Sequence, residues 1–160
     1  MTRLPLLFGT FVLAALPALA ETGVRFSGLK TDSAAPVQVQ ADQLTIDQAD
    51  GSATFQGNVV VVQSDLELKA ASVVVIYEAD GKGIAELRAT GGVTVKAGSN
   101  AASADTAIYT VAPGQLVLEG NVLLAEGQAT LSGQKLTVNL KTGLGTMEGR
   151  VTTTFAPGGN

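Results

Sequence analysis

"ATFQGNVVVVQSD" (Ala53–Asp65) places an alternating run on each side of one glycine. Ala53 and Phe55 stand four and two residues before Gly57, and Val59 and Val61 stand two and four after it. The glycine element returns as "GGV" (Gly91–Val93), "GNV" (Gly120–Val122) and "GRV" (Gly149–Val151), at spacings of 34, 29 and 29 residues. The flanking phase returns with it. Leu87 and Ala89, Leu116 and Leu118, and Gly145 and Met147 precede the later glycines; Val93 and Val95, Val122 and Leu124, and Val151 and Thr153 follow them. Gln56, Thr94, Lys96, Glu119 and Glu148 lie off phase. A period of two with one apolar face predicts half-buried antiparallel strands. Beyond residue 20 no stretch sustains a helical period.

A second element alternates with the first: "ADQLTI" (Ala41–Ile46), "AASVVV" (Ala70–Val75), "ADTAIY" (Ala104–Tyr109) and "GQKLTV" (Gly133–Val138). Three and five positions after each small residue come Leu44 and Ile46, Val73 and Val75, Ala107 and Tyr109, and Leu136 and Val138. Turn residues separate the elements: "ADG" (Ala49–Gly51), "ADGKG" (Ala79–Gly83), "APG" (Ala112–Gly114) and "KTG" (Lys141–Gly143). Glycine there accepts the positive φ that tight hairpins require. The strands between turns are long, with a small residue near the middle of each. Glycine inside a strand marks a bulge or a bend. The expected fold is therefore all-β, with eight bent strands crossing between two facing antiparallel sheets. Gly57, Gly91, Gly120 and Gly149 are the expected corners, matched by Ala41, Ala70, Ala104 and Gly133.

The first twenty residues read differently. A basic start with Arg3, an apolar run (Leu4–Leu16) and the small-x-small end "ALA" (Ala18–Ala20) predict a signal peptide cut before Glu21. Residues 21–35 are expected to be a flexible lead-in, 36–155 the folded domain and 156–160 a flexible tail. Ten basic residues stand against fourteen acidic ones, which argues against a nucleic-acid partner. There is no cysteine, histidine or tryptophan, so thiol nucleophiles, the usual general base and the usual zinc ligands are missing. The close acid pairs, Asp47 with Asp50 and Glu78 with Asp80, fall beside turns, where solvated turn residues are expected. No cofactor, metal or catalytic residue is expected.

"PVQVQADQLTIDQADGSATFQGNVVV" (Pro36–Val61) and "LVLEGNVLLAEGQATLSGQKLTVNL" (Leu116–Leu140) together resemble the LptA (OstA-like) family of periplasmic lipopolysaccharide transport proteins. The resemblance covers about Pro36 to Val151. It implies a twisted β-jellyroll, open at its ends, whose groove shields lipid A acyl chains. Of the inward positions named above, Leu44, Ile46, Phe55, Val59, Val61, Val73, Val75, Leu87, Val93, Val95, Tyr109, Leu116, Leu118, Val122, Leu124, Leu136, Val138 and Met147 become the lipid-binding interior. The implied partners are lipopolysaccharide, an inner-membrane LptC-like protein, an outer-membrane LptD-like receptor and further copies joined head to tail. An anchored LptC-like chain and a purely structural β-solenoid share the same pattern. Inward aliphatics are also the core of any β-sandwich, so a closed core and an open groove both remain compatible with the sequence.

The ends carry a separate signal. Val37, Gln38, Val39 and Gln40 at one end, and Val151, Thr152, Thr153 and Thr154 up to Phe155 at the other, hold no charge. Proteins usually guard sheet edges with charges. Bare edges predict assembly by strand addition.

Overall fold

Alternating Val, Leu and Thr form thirteen strands in a computed structural model that describes residues 24–25 and 29–156. In chain order they are β1 (Val24–Arg25), β2 (Gln38–Gln40), β3 (Gln43–Asp47), β4 (Ser52–Gln63), β5 (Leu66–Tyr77), β6 (Ile84–Thr90) and β7 (Val93–Ala97). β8 (Asn100–Ala104), β9 (Thr106–Thr110), β10 (Gln115–Glu126), β11 (Ala129–Asn139), β12 (Leu144–Glu148) and β13 (Thr152–Phe155) follow. Every pairing is antiparallel. The result is the expected twisted β-jellyroll, one sheet folded on itself into two walls.

The first wall stacks β3, the start of β4, the end of β5, β6, β9, the start of β10, the end of β11, and β12. The second stacks β2, the end of β4, the start of β5, β7, β8, the end of β10, the start of β11, and β13. β1, outside the expected eight bent strands, pairs with β12 through Val24↔Gly145 and Arg25↔Leu144. The signal-peptide stretch lies outside the described residues, as do 157–160.

The fold line between the walls is a row of bulges. In β4/β5 the register jumps between Gln56↔Ser72 and Val59↔Ala70, so Gly57 and Asn58 oppose Ala71 alone. β10/β11 repeats this between Glu119 and Val122. Gly57 (φ +80) and Asn58 (φ 47) are both left-handed, as are Gly120 and Asn121. A Cβ at Gly57 would come within 2.6 Å of Asp42 Oδ2. Asparagine tolerates the second left-handed position, and its side chain has a further use. Asn58 Nδ2 donates to Asp42 at 2.8 Å and Asn121 Nδ2 to Asp105 at 2.9 Å.

On the alternate strands the corner is shifted. A Cβ on Gly57, Gly91, Gly120 or Gly149 would meet Asp42, Ala71, Asp105 or Gln134 respectively, each one residue beyond the expected Ala41, Ala70, Ala104 and Gly133. Ala70, Ala104 and Gly133 instead close the inward row opposite Val59, Val93 and Val122. The walls converge there, and small side chains fit where space is least.

Hairpins connect the strands away from the fold line. The first wall turns at 48–51, 78–83, 111–114 and 140–143, and the second at 64–65, 98–99 and 127–128. These turns form two lips. The stretch 29–35, read from sequence as part of a flexible lead-in, joins one lip to the other.

Candidate functional site: the interior between the walls

The inward rows meet between the walls. Leu116, Leu118, Leu124, Leu136 and Val138 are fully buried, and Val59, Val61, Val73, Val75, Leu87, Val93, Val95, Tyr109 and Val122 are buried with them. Each such aliphatic side chain stabilises the fold by roughly 1.5–3 kcal/mol through its transfer from water. Thr94 and Lys96, one residue off phase, are exposed. The period-two assignment of faces therefore holds through the middle of the stack.

The ends differ from the middle. Leu44 and Ile46 pair with Phe55 and Ala53, so they share the inward face. Yet Ile46 is 64% exposed and the whole of β3 is solvent-accessible. Phe55 is only partly buried, as is Met147. At the opposite end Val151 is exposed and Phe155 is 74% exposed. Apolar surface is thus uncovered on the first wall at one end and on the second wall at the other. The interior is a closed core in the middle and an open one at both ends.

At the lips a polar link spans the walls. Tyr109 Oη, on the first wall, donates to Gln63 Oε1, on the second, at 2.7 Å. Burial raises the Tyr109 hydroxyl above its ordinary pKa. Gln63 is only 1% exposed. Its Nε2 donates to the carbonyls of Ser33 at 3.1 Å and Ala35 at 2.8 Å. Thr31 completes the link: its amide donates to Leu140 O at 3.0 Å and its hydroxyl to Gln63 O at 2.9 Å. Gln63 is the last residue of β4, next to the turn at 64–65. Its phase, two beyond Val61 and four beyond Val59, marks it as inward, and a polar residue on an apolar face is the signal that could have found it.

The carboxylates serve turns and surface pairs. Asp47 accepts the amides of Ala49 and Asp50, and Asp80 that of Lys82. Glu67–Lys69 and Glu119–Lys135 are exposed ion pairs of 3.0 Å. Among the described residues no group of acids is placed to hold a metal ion.

Two edges of the second wall are unpaired among the described residues. β2 pairs only with β4, and β13 only with β11. The Ala156 amide bonds inward to Gln128 O at 2.9 Å. Since backbone groups alternate sides along a strand, the Thr153 and Phe155 amides face the free side.

A folded antiparallel sheet around an aliphatic interior, bare at two edges, defines this chain as a twisted β-jellyroll. The LptA/(LptD N-terminal domain) LPS transport protein family matches residues 38–144, and the chain belongs to that family. An uncharacterized protein of Rhizobium meliloti is 31% identical over 140 residues, covering 82% of this chain and 75% of its own. The lipopolysaccharide export system protein LptA of Escherichia coli K12 is 27% identical over 141 residues, covering 84% and 72%. The crystal structure of LptH from Pseudomonas aeruginosa, the LptA-homologous periplasmic component of a lipopolysaccharide transport device, superposes with a TM-score of 0.72. It covers 79% of this chain and 99% of its own at 20% identity, a likeness of fold.

Proposed function

We propose that this protein is a non-enzymatic periplasmic carrier of lipopolysaccharide, shielding acyl chains between its walls and bridging the inner and outer membranes. The observation that carries the reading is an aliphatic interior that runs the length of the stack and is uncovered at both ends, in a chain of this family. Acyl chains are flexible, and an interior of Val, Leu and Ile can follow them without directional bonds. The lipid-facing residues are the inward set, with Leu44, Ile46, Phe55 and Met147 the most accessible.

The open ends favour assembly in series. Leu44 and Ile46 extend one wall and Val151 and Phe155 the other, so a second copy stacked end on end covers both. The bare β2 and β13 edges supply backbone groups for that joint, and for an LptC-like partner at the first end and an LptD-like receptor at the last. Eight strands at ~4.8 Å span roughly 35–40 Å, which is why several copies are required.

The test is a diazirine analogue of leucine placed at Leu118 in cells. A lipopolysaccharide adduct at Leu118, with none from the same group at outward Thr94, is the expected result. Equal labelling at both positions removes the interior as the carrier site. A purely structural module yields no lipid adduct at either.

A further inference from the structure

We propose that Leu29–Ala35 is a releasable clasp that holds the two lips together, that acyl chains enter sideways between the lips once it lets go, and that Gln63 keeps it shut. This rests on the lipid-carrier reading above.

In the closed state the middle of the interior has no room for a lipid tail. Leu116, Leu118, Leu124, Leu136 and Val138 are fully buried against their neighbours. A tail can occupy this space only if the walls separate. The fold line cannot part, because four strands run continuously across it. The lips can, because among the described residues only side chains and one crossing segment hold them. Among the described residues, the hydrogen bonds joining the two lips all pass through Gln63 or Thr31.

Gln63 is built for this role. Both amide hydrogens go to the clasp, at Ser33 O and Ala35 O, and its oxygen accepts from Tyr109 across the interior. One side chain thus fastens the clasp and ties wall to wall. Leu29, at the start of the clasp, belongs to the core and is fully buried. Its aliphatic side chain fills interior space that a lipid chain would use.

Release has a low barrier in kind. The clasp is irregular chain, held by four hydrogen bonds and one apolar side chain, whereas each wall strand is held along its length by ladder pairing. Elements of that sort open before the strands do. While the clasp is shut, the apparent affinity for lipid is reduced by the fraction of molecules that are open.

The experiment uses the chain as exported, with hexa-acylated lipid A bearing a fluorophore on its sugar as the probe. The native chain has no cysteine, so Thr31→Cys with Gln63→Cys introduces a single possible disulfide. Thr31 Oγ1 lies 2.9 Å from Gln63 O, so the two residues adjoin, and formation of the bridge is checked by loss of free thiol before binding is measured. Oxidised, this variant should bind lipid A at least about tenfold more weakly than after reduction, because the competent fraction falls. Gln63→Leu should load faster and more tightly than wild type. In wild type, lipid A should speed hydrogen exchange at the Thr31 amide while strand amides stay protected.

Equal binding by the oxidised and reduced forms overturns the clasp while leaving the carrier reading intact. A Thr31 amide that stays protected in the loaded protein does the same. Absence of binding by wild type and by the reduced variant sinks the carrier reading and the clasp with it. The oxidised and reduced forms are one protein, so misfolding of Gln63→Leu does not blunt the comparison.

Discussion

The fold line and the lips are the two long sides of the same interior, and they are held by different means. At the fold line the chain itself crosses from wall to wall, with paired left-handed residues such as Gly120 and Asn121 bulging against Gln134 while Asn121 donates to Asp105. Among the described residues nothing covalent crosses at the lips except the segment 29–35, and Gln63 and Tyr109 carry the contact. One side is a hinge of fixed geometry repeated along the stack. The other is a seam closed at one place. Under the carrier function proposed above, an interior that admits and passes on a flexible ligand is expected to be rigid on one side and adjustable on the other.

The sharpest challenge to this contrast comes from the interior they share. Leu118→Asp buries an unpaired carboxylate beside the fold line. It should destabilise by more than about 4 kcal/mol, read as loss of cooperative unfolding by circular dichroism. A folded Leu118→Asp protein means the middle of the stack is wetter than its burial indicates.

Gly120→Val tests the hinge alone. A β-branched residue at φ +82 is strained, and its Cβ collides with the Asp105 carboxylate. The expected loss is about 2–3 kcal/mol in a denaturant melt. Retention of wild-type stability would mean the fold line bends without its left-handed pair.

Tyr109→Phe tests the seam, and its effect should be smaller, about 1 kcal/mol, since it leaves Gln63 Oε1 without its donor. It also has a pH signature. Burial raises the Tyr109 pKa above 10.0, so the folded state favours the neutral phenol. That contribution is fully present below the unfolded value and is lost as pH rises through the folded one. Wild type should therefore lose melting temperature above about pH 10 more steeply than Tyr109→Phe. Parallel alkaline slopes would separate Tyr109 from the seam.

Thr153→Pro moves to the end of the stack. The Thr153 amide faces the free side of β13, so the monomer should change by less than about 1 kcal/mol, while self-association measured by sedimentation weakens about tenfold. Unchanged association in a folded variant removes this edge as the joint. The smallest effect belongs to Thr94→Asp, on the outer face of β7, which should stay within about 0.5 kcal/mol of wild type.

Much of this was legible because strands write a period of two and sharp bends demand glycine. The inward phase of Leu118, Val95 or Val138 follows from alternation alone. The paired recurrence of Gly57 and Gly120 announces bends, because φ near +80 is closed to most other residues. The bare edges were legible too, as runs without charge at Val37–Gln40 and Val151–Phe155.

The corner partner was misplaced by one residue, since alternation does not say which strand carries the extra residue of a bulge. Asp42 and Asp105 were chosen only when the neighbouring strand was in place. The exposure of Leu44 and Ile46 was equally hidden: their phase is inward, but whether anything lies across from them depends on where the stack stops. The clasp was the least legible part. Thr31, Ser33 and Ala35 carry no periodic pattern, and Gln63 lies 28 to 32 residues beyond them in the chain. By itself the sequence determined the strands, their faces and the places where they bend, because those are set by local backbone chemistry. Only the tertiary structure decided what closes the open side, because that depends on contacts between distant residues that no local pattern records.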